Sequence, residues 1–474
     1  MYQHTGEEYF DSKEFQQLLG KYEDALAAGE PVFMDSEELA DIADYYQMTG
    51  QQDSADKAIA LALELAPGSL APLTYKIHEA LYNGDIGEAE QLLEQIVDKQ
   101  SPEFIYDKGE ILLAKGLVDQ AEDLFTSSMV LYQDDELQDF IIDVAGIYQD
   151  FNYADIAMRW MKMAKQEDTA DYKELMARAL FGVGKYKDSE RIFNELIDVN
   201  PFSKRYWNAL ASAQFMNEEY SQSVQSSEYA IAIDPKDPES LISKANALYR
   251  LDNYEQALEY FRRYSAITPD DEFSLLHQGT CLVNLERHHE AVDILQKAIE
   301  AAPEDSPYLP DIYQELAFAN SELGNYDKAL EWIDRTEQLD CDHIQALVIK
   351  GHVMLTAGKI RQAEACFRKA VIESDNPNLT LLRIIVSLYD NKYVEASYAL
   401  FKKYFRVVPE GHTDGYAYMA LCCYDLKKYD EFLYYLKQAC KLNPKECKLV
   451  LAHLFPDNVE PQDYYNYIKE RMKK

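Results

Sequence analysis

The chain has 474 residues, 47% of them apolar and 27% charged, a composition that can bury a sizeable core and excludes wholesale disorder. Lys and Arg number 46 against 84 Asp and Glu, a formal net charge of −38, and a field of that sign repels phosphate backbones and anionic lipid surfaces. Nucleic-acid binding and membrane insertion are not expected: the opening residues form no secretory leader, and the strongest apolar stretch, Leu379 to Tyr389, is short and broken by Arg383, so the expected location is cytoplasmic.

In chain order, residues 8–28 come first. Tyr9, Phe10, Phe15, Leu18, Leu19, Tyr22 and Leu26 give them the pattern of an amphipathic helix. The first 170 residues carry 10 basic and 36 acidic side chains, net −26, which reads either as a solvated helical surface or as an acidic docking face. From Ser36 onward two apolar patterns alternate at helical spacing. In the unit beginning at Lys204, Trp207, Leu210, Ala211 and Gln214 step by threes and fours. Asn217 to Tyr220 turns the chain, and Ser223, Ser227 and Ala230 step along a second helix that closes at Ile233-Asp234-Pro235. Proline cannot continue a helix and pushes the residue before it out of the helical region, so it marks the boundary between units.

The unit recurs. Tyr186, Tyr220 and Tyr254 are each 34 residues apart, and Pro201, Pro235, Pro269 and Pro303 keep the same step. Small residues occupy a fixed slot in each helix so that the two axes can approach: Gly109, Gly279 and Gly351 in the first, and Ala121, Ala257 and Ala363 in the second, each Ala followed four residues later by Phe125, Phe261 or Phe367. Spacing, residue type and repetition together resemble the tetratricopeptide repeat family, with about twelve repeats. They begin near Ser36, Leu70, Pro102, Leu137, Ala170, Lys204, Pro238, Glu272, Pro310, Ile344, Pro377 and Thr413, the fourth and eleventh fitting least well.

The resemblance implies an all-α fold, a right-handed α-solenoid (superhelix) of helix-turn-helix repeats with capping helices at both ends. The expected division is a cap over 1–35, repeats over 36–303, a proline-rich break at 304–310, further repeats over 311–446, and caps over 447–474. The break at Pro303, Pro307 and Pro310 reads either as a longer loop or as a hinge. No stretch remains for a catalytic domain, so no enzyme is expected.

Nor is a metal or other cofactor expected. Gly182-Val183-Gly184-Lys185 lacks the Ser/Thr and the preceding strand of a phosphate loop. His288 and His289 lack the spacing of a helical zinc site. Cys422, Cys423, Cys440, Cys447 and His453 are read as packing residues, with a zinc site or redox switch as alternatives. Cys281, Cys341 and Cys366 complete an odd set of seven thiols with no CxxC pair, which points to a reducing compartment.

The expected function is that of a non-enzymatic scaffold or adaptor for a protein or peptide partner. A peptide-sensing regulator whose superhelix pitch changes on binding is the alternative. The family resemblance implies that first helices line a concave groove. By repeat phase, Tyr148, Phe181, Phe215 and Tyr249 share one slot of that face, with Arg178, Arg205, Asn208, Asn246 and Arg250 beside them. These nine residues are the expected binding site; the competing reading is that the aromatics pack between adjacent first helices.

Overall fold

The computed structural model describes residues 9–10, 12–165, 168–339, 343–409, 411–456 and 458–471. Among them twelve helical hairpins follow one another, and the protein is an all-α helical repeat solenoid. The first helices of the repeats are Ser36–Met48, Leu70–Tyr82, Pro102–Ala114, Asp134–Asp150, Ala170–Gly182, Lys204–Met216, Pro238–Arg250, Glu272–Asn284, Leu309–Glu322, His343–Thr356, Pro377–Asp390 and Tyr416–Asp425. Eight of them start where the sequence pattern puts them. Repeat 4 is the irregular one: no proline precedes it, its first helix runs 17 residues, and its second, Ala154–Met161, only 8. Repeat 11 is regular after all, with helices of 14 residues each.

Two compact units divide between Ser243 and Lys244, inside the first helix of repeat 7. In the N-terminal unit, helix Lys13–Ala28 is capped by Ser12, whose side chain accepts from the Phe15 amide, and stopped by Gly29 at φ 68°. It lays Phe15, Leu19 and Tyr22 against repeat 1, where the rings of Phe15 and Tyr45 lie 5.3 Å apart. In the C-terminal unit, helices Pro444–Leu451 and Tyr464–Arg471 cover repeat 12, with Phe455 stacked on Tyr464 at 3.8 Å. The proline-rich segment of that unit is pinned rather than open: Ser306 is buried, its hydroxyl donates to Glu272 Oε1 at 2.9 Å, and Tyr308 packs on Phe273.

Within each unit, successive first helices touch one another, while second helices pack mainly against the first helices before and after them. The hairpins close by near-contact of backbone and ring. An added Cβ on Gly109 would lie 2.0 Å from Phe125 Cζ, and one on Gly351 would lie 2.2 Å from Phe367 Cε1. The glycine and the phenylalanine of the repeat pattern are thus partners in one contact.

Each of the twelve intra-repeat turns places one residue in the left-handed region. Gly50, Gly84, Gly116, Gly184, Gly324 and Gly358 fill six of these positions; Asn152, Glu218, Asp252, Glu286, Lys392 and Lys427 fill the others. A side chain there is strained by about 1 kcal/mol or more relative to glycine. Glu286, exposed at φ 57°, is a clean place to measure it. Glu286→Gly should raise stability by about 0.5–1 kcal/mol in urea melts, net of the entropy glycine adds to the unfolded chain.

Candidate functional site

The four aromatics expected to form one groove-facing stripe have another job. Phe181 meets Tyr186 at 5.4 Å, Phe215 meets Tyr220 at 5.3 Å, and Tyr249 meets Tyr254 at 5.6 Å, each pair edge to face. Tyr148 meets Tyr153 in the same way at 6.4 Å and is fully buried, also against Phe125. Every ring therefore clasps the tyrosine that opens its own second helix, or in repeat 4 immediately precedes it, across the left-handed turn. Tyr249 also meets His277 on the next first helix at 5.6 Å, and Tyr148 has no surface to offer a ligand.

The polar residues beside them are also engaged. Asn208 is 2% exposed; its amide donates to Asp237 Oδ2 at 2.8 Å and to Glu239 at 3.2 Å, and its carbonyl accepts from Ser240. These donors, with Lys204, overcome the burial that alone would raise the Asp237 carboxyl and hold it down at about 2. Arg178 pairs with Asp150 at 2.9 Å, and Arg205 pairs with the buried Glu174. The charges of Arg178 and Arg205 are thus paired with carboxylates of neighbouring repeats. Asn246 is half-buried and Arg250 exposed.

The C-terminal unit contains a cleft of about 400 Å³ on the first helices of repeats 7 to 10. Of the nine expected residues, Tyr249 lines it. Leu276, Val283, Phe318 and Ile349 give it apolar walls, while His277, Thr280, Asp311, Gln314, Glu315 and Gln345 supply polar groups. His277 Nδ1 lies 2.9 Å from the Phe273 carbonyl oxygen, to which it donates in the tautomer that leaves Nε2 as an acceptor. Burial pushes the imidazole pKa down. Burial, aided by the Asp311 charge, pushes the Glu315 carboxyl up to about 7, and Gln314 Oε1 is buried without a hydrogen bond. The cleft is thus acceptor-rich and holds negative charge at some cost.

Four of the thiols are buried in the C-terminal core. Cys422, Cys423, Cys440 and Cys447 lie in the core under the C-terminal helices, and burial raises the Cys422 and Cys423 pKa values to about 11 and 12. Cys341 lies outside the described residues.

Comparison with known proteins agrees with the repeat geometry. A tetratricopeptide repeat family model matches residues 76–135, and the model described as anaphase-promoting complex, cyclosome, subunit 3 matches residues 205–298. The chain is a tetratricopeptide repeat protein. Structures similar to this tetratricopeptide repeat protein include one of the same class from Parabacteroides merdae, 16% identical over 51% of this chain and 94% of that one, with a TM-score of 0.44. The APC/C hetero-tetramer Cut9–Hcn1 is 13% identical with 95% of each chain covered and a TM-score of 0.36. YrrB, described as a TPR protein with an unusual peptide-binding site, is 18% identical over 40% of this chain and 95% of its own, with a TM-score of 0.35. No curated protein sequence matches the chain. As a tetratricopeptide repeat protein it is in general terms an interaction scaffold, and no helix among the described residues is long and apolar enough to cross a membrane.

Proposed function

We propose that this scaffold docks an extended peptide bearing a lysine or arginine into the cleft on repeats 7 to 10. The observation that carries the reading is the Glu315 carboxyl set among apolar walls with Asp311 and Gln314 Oε1 beside it. A ligand ammonium or guanidinium would offset the repulsion between the two carboxylates and donate to acceptors that otherwise lack partners. Charge-assisted hydrogen bonds of this kind contribute about 1.5–3 kcal/mol each. The apolar part of a long basic side chain suits Leu276, Val283, Phe318 and Ile349. A surface of net charge −38 would also speed the approach of a basic partner, the reverse of what a carboxylate ligand would meet.

Panning a peptide display library on the wild-type chain and on Glu315→Gln tests the reading. Lys/Arg-containing peptides should be enriched on the wild type only. Titration of a selected peptide should show at least tenfold weaker binding to Glu315→Gln, and wild-type binding should tighten as pH rises through about 7 and Glu315 ionises. Enrichment of acidic or wholly apolar peptides, or equal affinity for both proteins, would refute it.

A further inference from the structure

We propose that His78, Asp107 and Glu110 form a zinc-class divalent metal site that clips repeat 2 to repeat 3 in the N-terminal unit. His78 Nε2 lies 3.2 Å from Asp107 Oδ1 and 3.1 Å from Glu110 Oε2, and one ligand atom from each residue lies within 4.8 Å of the others. Donors bound about 2.1 Å from one ion are about 3.0–3.4 Å apart for right-angled to tetrahedral geometry, and the two histidine–carboxylate separations fall in that range. One imidazole and two carboxylates match the donor chemistry of zinc, which takes three protein ligands where a position stays open to water.

The surroundings orient the donors. Asp107 is 1% exposed and Glu110 is 8% exposed, so both carboxylates are held out of water. Thr74 Oγ1 donates to Asp107 Oδ2 at 2.7 Å, leaving Oδ1 for the His78 side, a positioning contact of the type that supports metal ligands. Despite its two close oxygens, His78 Nε2 is buried without a properly directed hydrogen bond. A single N–H cannot point at both, whereas a cation placed between the three atoms would engage all of them. In the metal-free chain a proton does part of that work: burial would depress the His78 pKa, but the two carboxylates outweigh it and lift it to about 9.

Asp44, on the first helix of repeat 1, is a second orphan and feels the charge of His78. Its Oδ1 is buried without a hydrogen bond, and burial pushes its carboxyl up to about 7 against a smaller opposing pull from His78. Asp44, His78 and Glu110 are each the ninth residue of their first helix, so the fold aligns them on one face in successive repeats.

The test uses the full-length protein and zinc alone. Dialysis against micromolar zinc should leave one zinc bound per chain that is lost, with at least tenfold weaker affinity, in both His78→Gln and Asp107→Asn. X-ray absorption of the zinc-loaded wild type should show nitrogen and oxygen neighbours without sulfur, which needs no variant to fold. Absence of bound zinc would mean that the cluster is a protonated histidine between two carboxylates and would overturn the proposal. So would zinc retained undiminished in both folded variants, or sulfur in its shell, which would point to the Cys440–Cys447 pair, whose sulfurs are 3.7 Å apart.

Discussion

Gly109→Ala should destabilise the protein by about 3 kcal/mol or more, although alanine is the better helix former by about 1 kcal/mol. The steric term decides the sign. The new methyl would sit 2.0 Å from Phe125 Cζ and under 3 Å from two further ring atoms. The ring cannot retreat, because it is fully buried with Phe140, Tyr148 and Trp160 edge to face around it at 6.5, 5.7 and 6.3 Å. Gly279→Ala should cost less, since the side chain it meets, Leu295, is more pliable than a ring. Gly146→Ala, with no neighbour within 4 Å of the new carbon, should stabilise. Urea melts of the three variants would show the ordering. A stabilised Gly109→Ala would mean that the hairpins are not closed by glycine against ring.

The second large effect is on pH. Stability should fall as pH rises from about 4.5 to 8, by several kcal/mol. Burial is the main force raising three carboxyls: Asp44 to about 7, Asp143 to about 6 and Glu315 to about 7. Below about 4 these groups are protonated in both states and contribute nothing. Between there and about 7 the unfolded chain ionises while the folded chain resists. Each tenfold loss of acidity on folding then costs about 1.4 kcal/mol, which comes to about 3 kcal/mol for Glu315. His78 works in the same direction at higher pH: its stabilisation is complete below 6.5 and is lost as pH rises through about 9. Asp237, held down at about 2, opposes only in strong acid, because its contribution is present above 3.8 and lost as pH falls through 2. Melting temperatures between pH 5 and 9 should therefore decline, and Glu315→Gln should flatten the decline and melt higher at pH 8. A profile that is level or climbs over this range would show that these carboxyls ionise freely in the folded chain.

The repeat pattern was legible because prolines, tyrosines and small residues keep a common step of 34 residues. Where the markers fail, so does the boundary: Gln133 replaces the proline before repeat 4, and the first helix there begins at Asp134 rather than Leu137. The pairing of the aromatics was not read from the sequence for a different reason. Phe181, Phe215 and Tyr249 have the same period as Tyr186, Tyr220 and Tyr254, so periodicity alone does not say whether one set faces a ligand or the other set. The constant offset of five residues is the sequence signal for their pairing. Burial of Asn208 and the ion pairs of Arg178 and Arg205 join different repeats and are not readable from spacing. The row that holds His78 is less plain in the sequence, because repeat 3 is displaced by two residues from the strict period: the left-handed turn residues Gly84 and Gly116 are 32 apart, not 34. Counting from each helix start instead puts Asp44, His78 and Glu110 in one row.

The aromatic clasps bear on the order in which the chain folds. Each joins residues only five apart, so closing one requires almost no loop entropy. Contacts this local form early, and proteins rich in them fold fast for their size. Repeats 4 to 7 each carry such a clasp. During synthesis these hairpins have the means to form one at a time as they emerge, each offering the next a finished surface to dock on, with no need to wait for distant sequence.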